Sequence, residues 1–557
     1  MKRFLPAFAL MTNLFVRQAA LAQGPTYVAV VIYHVTNVGQ APIESSVLAY
    51  RIPSSNRYQE IVETLTDPAP KETVQDSEGQ TLAMADLGPL AVGQTKAVRI
   101  FCRVRCKAAT LASANEKDGF PSLRDEEKAA YLADAPPFGV SEVRDTARDV
   151  CARASSSMGK AKAIFDYITE TFEYDLRDHL DPAPAVIRRK LGSCSELAFA
   201  FVALCRAAGV PARVVTSFRN REGATPSVDW VGHRWAEFYA EDVGWVPVDP
   251  TNQINSFGKK SYWGRQDPEF IALVDDGSAE VASPRWEAML AFYRPADSKM
   301  ATKRFAVWRL SHNADKERTF FEEGCRALRA EKVEDRIAAV EGWQRSREPL
   351  RGVMALEAAF DSSAAVRRQA AKALAGADDP TLTLPMLKLH EQESDESVKA
   401  ALIQGVRSLL RVRNDKHREI ALANVIKSRL DSAVPLVAEL AADPSVDVRW
   451  RIAATLYRLG DKPAVNDAYA TLLDDPEEMV RFQAAKQWSR LGSWKAAERL
   501  VKYLASPDPR RRTSALEALR RRAGTDFGFK PLGSPDSQAN QAARERWDRW
   551  VRQRGQQ

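Results

Sequence analysis

The stretch Leu191–Val215, LGSCSELAFAFVALCRAAGVPARVV, reads as a helix buried on every side, because Leu197 to Cys205 contains no polar residue. Gly209-Val210-Pro211 stops it, and ARVVTSF, from Ala212 to Phe218, restarts the chain as a strand. This apolar helix opens on Gly192, Ser193 and Cys194, with Glu196 close behind. A cysteine there sits at the positive end of the helix dipole, beside backbone N–H groups that lack an intrahelical partner. Both effects draw a thiol below its free pKa of about 8.5 and favour the nucleophilic thiolate. Such a nucleophile needs a base within reach and a third group to hold the base.

The segment HRWAEFYAEDVGWVPVDPTNQ, from His233, supplies both. It reads as a hairpin with strands His233–Tyr239 and Trp245–Asp249 around a turn at Glu241–Gly244. If Tyr239 pairs with Trp245, then Trp235 faces Asp249, and His233, two residues away, shares that face. His233 then lies diagonally beside Asp249, close enough for an imidazole–carboxylate hydrogen bond. A slip of one residue would put the two on opposite faces. The other face carries Ala236, Phe238, Val246 and Val248 and suits a core. Trp235 and Trp245 either wall a groove or serve the sheet. Glu237, on the histidine face, is either a partner behind the histidine or, more simply, an edge-exposed carboxylate.

These residues together resemble the transglutaminase-like superfamily in its bacterial form. The matching elements are Gly192 to Glu196, Leu204 to Arg213, His233 to Glu237 and Gly244 to Thr251, in order, over about 130 residues. The resemblance implies a papain-like α+β core in which Cys194 is the nucleophile, His233 the general base and acid, and Asp249 the group that orients His233. It implies acyl transfer at peptide or protein amides, as a peptidase or amidase ahead of a cross-linking transamidase. No cofactor and no metal are implied, and the calcium sites of the family's animal branch have no counterpart. The strand-rich segment before this core also resembles one found in bacterial relatives.

Three textures follow one another along the 557 residues. Alternating apolar and polar residues with turn signals over 24–112 read as an antiparallel β-sandwich. Residues 113–294 mix helices and strands; Val140–Arg153 and Met158–Phe172 look helical. Gly159-Lys160 is not a phosphate loop, since Ala154 stands where a glycine is required. Residues 295–345 read as a helical linker. From 346 to 525 the chain repeats: DSSAAVRRQAAKAL at Asp361, DESVKAALIQGV at Asp395, DPSVDVRWRIAATL at Asp443, DPEEMVRFQAAKQW at Asp475 and a weaker copy at Ser506. One wider gap leaves room for a degenerate copy. A capped helix whose stripe cannot be buried alone must stack on its neighbours, and these repeats resemble short bacterial HEAT repeats. Residues 526–557, with Trp547 and Trp550, read as a capping helix. The fold class is therefore multidomain: β-sandwich, α+β papain-like core, and all-α HEAT-like solenoid.

The net charge of +7 comes from 80 basic against 73 acidic residues, which argues against a dedicated nucleic-acid binder. Arg510–Arg512 and Arg520–Arg522 read as solvated helix faces that an acidic partner could use. Lys2-Arg3, the apolar run Phe4–Phe15 and Ala20-Leu21-Ala22 form the pattern of a leader over 1–22, so a periplasmic or secreted protein is expected. No other segment approaches the roughly 18 apolar residues of a membrane span. The six cysteines have no disulfide or zinc pattern. Cys102 and Cys106, about 13 Å apart along a strand, could not bridge without a bend. Cys205 reads as core and His179 as a solvated loop residue. The expected partners are a peptide or protein substrate and a protein bound by the repeats. The alternative is a catalytically silent assembly scaffold built on the solenoid.

Overall fold

The computed structural model describes residues 25–75, 80–111, 122–175, 180–220, 227–255, 260–274, 289–295 and 298–555. The expected leader and His179 lie outside them. Two compact units are present, one of residues 1–329 with 348–353 and one of 330–347 with 354–557.

The first unit opens with β1 (Thr26–Asn37), whose run from Val28 to Val35 is buried on both faces. A strand apolar on both faces must be central, so it needs a partner on each edge and a layer on each side. One edge partner is β6 (Thr95–Cys106), in register from Thr26↔Arg105 to Thr36↔Thr95. The other comes from beyond the core: β13 (Met300–Leu310) pairs with all but the first residue of β1, from Tyr27↔Leu310 to Asn37↔Met300. The expected helical linker at 295–345 is thus corrected over 300–310, and helix begins only at α6 (Ala314–Leu328). The five-stranded sheet runs β8 (Ser227–Asp229), β13, β1, β6 and β3 (Gln59–Asp67). A second sheet orders β12 (Met289–Arg294), β2 (Ser45–Ile52), β5 (Thr81–Asp86) and β4 (Glu72–Gln75). Ala29, Val31, Tyr33 and Val35 fill the core with Leu48 and Tyr50, while Phe101 on the outer face meets Phe321 of α6 at 5.4 Å. The sandwich is therefore assembled from both sides of the central region rather than within 24–112.

The central region is a four-stranded antiparallel sheet, β10 (Gly244–Val248), β9 (His233–Ala240), β7 (Ala212–Arg219) and β11 (Phe270–Val274). Helix α4 (Cys194–Ala207) packs against it, and α2 (Ser157–Thr171) and α3 (Ala183–Arg189) pack on α4. Leu197 to Cys205 are each at most 1% exposed, as a helix with no polar face requires. The expected helix at Val140–Arg153 is a 3₁₀ turn, Val140–Val143, followed by a short helix, Arg144–Val150. A final helix of the first kind, α1 (Asp125–Leu132), precedes it and contributes Tyr131.

The second unit is helical. An arginine in the first turns of successive helices clamps its own leading loop and the acid that opens the next repeat. Arg336 of α7 (Val333–Arg345) donates to Asp361 at 2.7 Å, and Arg367 of α8 (Ala364–Ala375) to Glu393 at 2.7 Å. The pattern then skips: α10 (Glu396–Leu409) has Lys399, which turns to Glu396. It resumes one helix later, with Arg418 of α11 (Asp415–Ser428) on Asp443 and Arg449 of α12 (Val446–Thr455) on Asp475. Because α11 stacks on α9 (Thr383–Gln392) rather than on α10, the clamp has changed rows. The wider gap in the repeats is this half-step of one helix. Beyond α13 (Glu478–Arg490), α14 (Trp494–Tyr503) and α15 (Pro509–Ala523), the last helix, α16 (Gln538–Gly555), packs on α14 with Trp547 buried and Trp550 5.3 Å from Trp494.

Candidate active site

Local chemistry fixes where α4 begins. Lys190 ends α3 in the left-handed region at φ 55°, and Leu191–Gly192 then pairs with Glu173–Tyr174. Ser193 is extended, and its N–H donates to Glu196 Oε2 at 2.8 Å, half of a capping box. Glu196 is fully buried and also accepts from the Asp181 N–H at 3.1 Å and from the Arg189 guanidinium, which binds Asp181 as well. A buried carboxylate is tolerable only with such donors, and these lock the turn that presents Cys194. A Cβ on Gly192 would meet Glu196 Cβ at 3.0 Å and Val186 Cγ1 at 3.2 Å, so a side chain there would have to displace its neighbours.

The hairpin has the register that the alternation predicts: Tyr239 pairs with Trp245 and Ala236 with Val248. Ala236, Phe238, Val246 and Val248 all enter the core under α4. Gly232, at φ 72°, turns the chain into β9, where any side chain would be strained. His233 Nε2 lies 2.7 Å from Asp249 Oδ2. Asp249 is completely buried and is held by α5 (Pro250–Asn255): the Asn252 N–H donates to Oδ1 at 2.8 Å and its Nδ2 to Oδ2 at 2.7 Å. The imidazole stacks on Phe270 at 5.4 Å and hydrogen-bonds the Cys194 side chain. With Nε2 committed to Asp249, Nδ1 is the nitrogen that serves the thiol.

Burial works against charge on both groups, and the local partners outweigh it. For Cys194, burial pushes the thiol up, but the hydrogen bond and charge of His233, then the N–H and charge of Arg234, bring it down to about 7. For His233, burial pushes down, yet the charge and hydrogen bond of Asp249, aided by Cys194, raise it to about 9. Between these values the favoured pair is thiolate and imidazolium. Burial instead pushes the Cys205 thiol well up, in keeping with its place in the core. All six cysteines, Cys102 and Cys106 included, are free thiols.

Of the three flanking residues, Glu237 departs from its simpler expectation. Glu237 is not an edge carboxylate: it is fully buried, accepts from Arg213 Nε at 2.8 Å, pairs with Arg57 at 3.8 Å and takes the Tyr58 hydroxyl. Alternation gives its face but not what covers it, and the cover is the turn before β3. Trp235 is fully buried, with Tyr58 at 5.3 Å and Phe270 at 5.0 Å, so it is floor rather than groove wall. Trp245 packs under Arg213 at 4.0 Å and against Tyr131 at 4.7 Å. Sequence reasoning missed Asn252, Tyr58 and Arg234. Arg234 carried a signal, as a lone charge on the apolar face of β9; it donates to Ser195 Oγ at 2.5 Å and to Thr216 Oγ1 at 3.1 Å. Among the described residues, no cluster of His, Cys, Asp and Glu gathers that could hold a metal.

Residues 144–250, which span all three central side chains, match the model of the transglutaminase-like superfamily, and residues 433–520 match that of HEAT repeats. Protein-glutamine gamma-glutamyltransferase of Pseudomonas aeruginosa is 33% identical over 95 residues, 15% of this chain and 14% of that protein. The uncharacterized protein YebA of Bacillus subtilis is 31% identical over 111 residues, 16% of this chain and 15% of that one. Each similarity thus spans a small part of the relative's own length. Among solved structures, a candidate cysteine protease from Cytophaga hutchinsonii covers 52% of this chain and 92% of its own at 15% identity and a TM-score of 0.36. The periplasmic domain of TgpA from Pseudomonas aeruginosa, bound to ethylmercury, covers 43% and 94% at 16% identity and a TM-score of 0.24.

Proposed function

We propose that this chain is an exported thiol enzyme that performs acyl transfer on peptide or protein amides. The observation that carries the reading is the contact series from buried Asp249 through His233 to Cys194 at the first residue of α4. The Cys194 thiolate attacks the amide carbonyl carbon; the carbon–nitrogen bond breaks as the His233 imidazolium gives its proton to the leaving amine, and a thioester remains. His233, now neutral, takes a proton from the incoming water or amine, whose attack releases the acyl group and the thiolate. The N-terminus of α4, with the Cys194 N–H, stabilises the oxyanion formed in each step. The helical repeats bind the protein that is cut or a protein that delivers it.

The test is turnover of a peptide library by the full chain and by Cys194→Ala, with hydroxylamine added in parallel. Cleavage by the wild type alone, with free acids as the main products, is expected. Hydroxamates in place of acids would assign transamidation, and equal traces for both proteins would reject the enzyme. Cell fractionation tests export, and capture on Cys194→Ala with and without residues 346–522 tests the role of the repeats.

A further inference from the structure

We propose that Arg234 is a positioning residue for the thiolate, a role that rests on the enzymatic reading above. Its guanidinium is buried on the side of β9 that faces α4, and residue exposure is only 8%. Nη1 donates to Ser195 Oγ at 2.5 Å, next in chain to the nucleophile, and Nε donates to Thr216 Oγ1 at 3.1 Å on the neighbouring strand. The fork therefore ties three elements together at the point where α4 begins. Its backbone N–H donates to the Cys194 sulfur, and the preceding residue, His233, serves the same sulfur with its side chain. One dipeptide thus supplies both the proton carrier and a fixed positive charge.

A guanidinium suits this place better than a second histidine or a lysine would. It keeps its charge at every working pH and holds two hydroxyls with a planar fork. An arginine among Ala236, Phe238 and the apolar side of α4 carries a desolvation cost that packing alone would not offset, and a neutral residue would fill the space. Its value lies in the charge beside Cys194. His233 leaves the cationic state when it protonates the leaving amine; Arg234 does not, so the sulfur keeps one cation through the cycle. Arg234 acts on the thiolate through the helix start and its field, and no contact with substrate is required.

The experiment measures iodoacetamide alkylation of Cys194 against pH, by mass spectrometry, in the full-length wild type, Arg234→Gln, Arg234→Lys and Ser195→Ala. Thermal melts are recorded for each. In Arg234→Gln the alkylation rate at pH 7 is expected to fall about two- to fivefold, the consequence of a thiol pKa raised from about 7 by half a unit to one unit. Arg234→Lys keeps the charge but loses the fork, so its rate should lie between those of Arg234→Gln and the wild type. Ser195→Ala, which removes the α4 hydroxyl that Nη1 holds, should raise the thiol inflection without removing the cation. It carries the test if Arg234→Gln does not fold. Unchanged inflections in Arg234→Gln and Ser195→Ala, with a low inflection in the wild type, would overturn the role of Arg234 and leave the enzyme reading intact. An ordinary thiol inflection in the wild type itself would instead overturn that reading, and this proposal with it.

Discussion

The Tyr58 hydroxyl donates to the Glu237 carboxylate, across 179 residues of sequence, and so binds the turn before β3 to the strand that carries His233. The same turn places Gln59 against β11, where its side chain accepts from the Ala272 N–H at 2.7 Å and donates to the Ala272 carbonyl at 3.0 Å. Tyr58, Trp235 and Phe270 form one buried cluster beneath the imidazole. The sandwich is therefore part of the floor of the site, not a module set beside it.

Glu237 is the anchor of that floor. Glu237→Ala leaves Arg213 and Arg57 facing a void where their carboxylate stood, and removing one member of a buried pair costs about 3–5 kcal/mol. Urea denaturation should show that loss. Tyr58→Phe, which keeps the ring and removes one donor, should cost about 1–3 kcal/mol.

Asp249→Asn should reshape the pH profile. The carboxylate is the main reason that His233 holds its proton up to about 9. Without it burial dominates, the imidazole loses its proton at lower pH, and the thiol loses one of its two cations. The sign follows: in the wild type the thiolate appears above about 7 and the imidazolium disappears above about 9, so activity rises through the first value and falls through the second. In Asp249→Asn the alkaline limb should move down and the maximum should drop at least tenfold, as kcat/KM against pH would report.

Cys194→Ala should abolish turnover with a change in stability within about 1 kcal/mol, because it removes one small atom group and leaves the His233–Asp249 bond intact. Melting curves beside turnover assays check both halves. A large loss of stability with turnover retained would make Cys194 a core residue.

In the helical unit, Arg449→Ala should lower the urea midpoint read by circular dichroism. Arg449 joins Asp475 to the carbonyls of Asp443 and Pro444, and its loss strands a buried carboxylate, at about 3–5 kcal/mol. Lys399→Arg, at the skipped position, restores no such clamp and should leave stability within about 0.5 kcal/mol.

What the sequence made legible was periodic or local. The apolar run Leu197–Cys205 and the alternation from His233 specify a buried helix and a hairpin register, and the register alone brings His233 beside Asp249. The unread parts depend on distant chain. MATKRFAVWRL carries Thr302, Lys303 and Arg304 in a row, and its pairing with β1 spans about half the chain, so no local window shows a strand there. Glu237 looks exposed until Tyr58 and Arg57 cover it. Arg234 was visible as a misplaced charge, but only the meeting of β9 with the start of α4 shows what it holds. The row change between α10 and α11 left a trace as an uneven repeat spacing, without revealing which helix was extra.

The central claim, a thiolate prepared by His233, is tested most directly by iodoacetamide labelling of Cys194 across pH in wild type and His233→Ala. The account predicts rapid labelling near neutral pH in the wild type, with an inflection near 7, and at least tenfold slower labelling at pH 7 in the variant. Slow labelling with an ordinary thiol inflection in both proteins would contradict it.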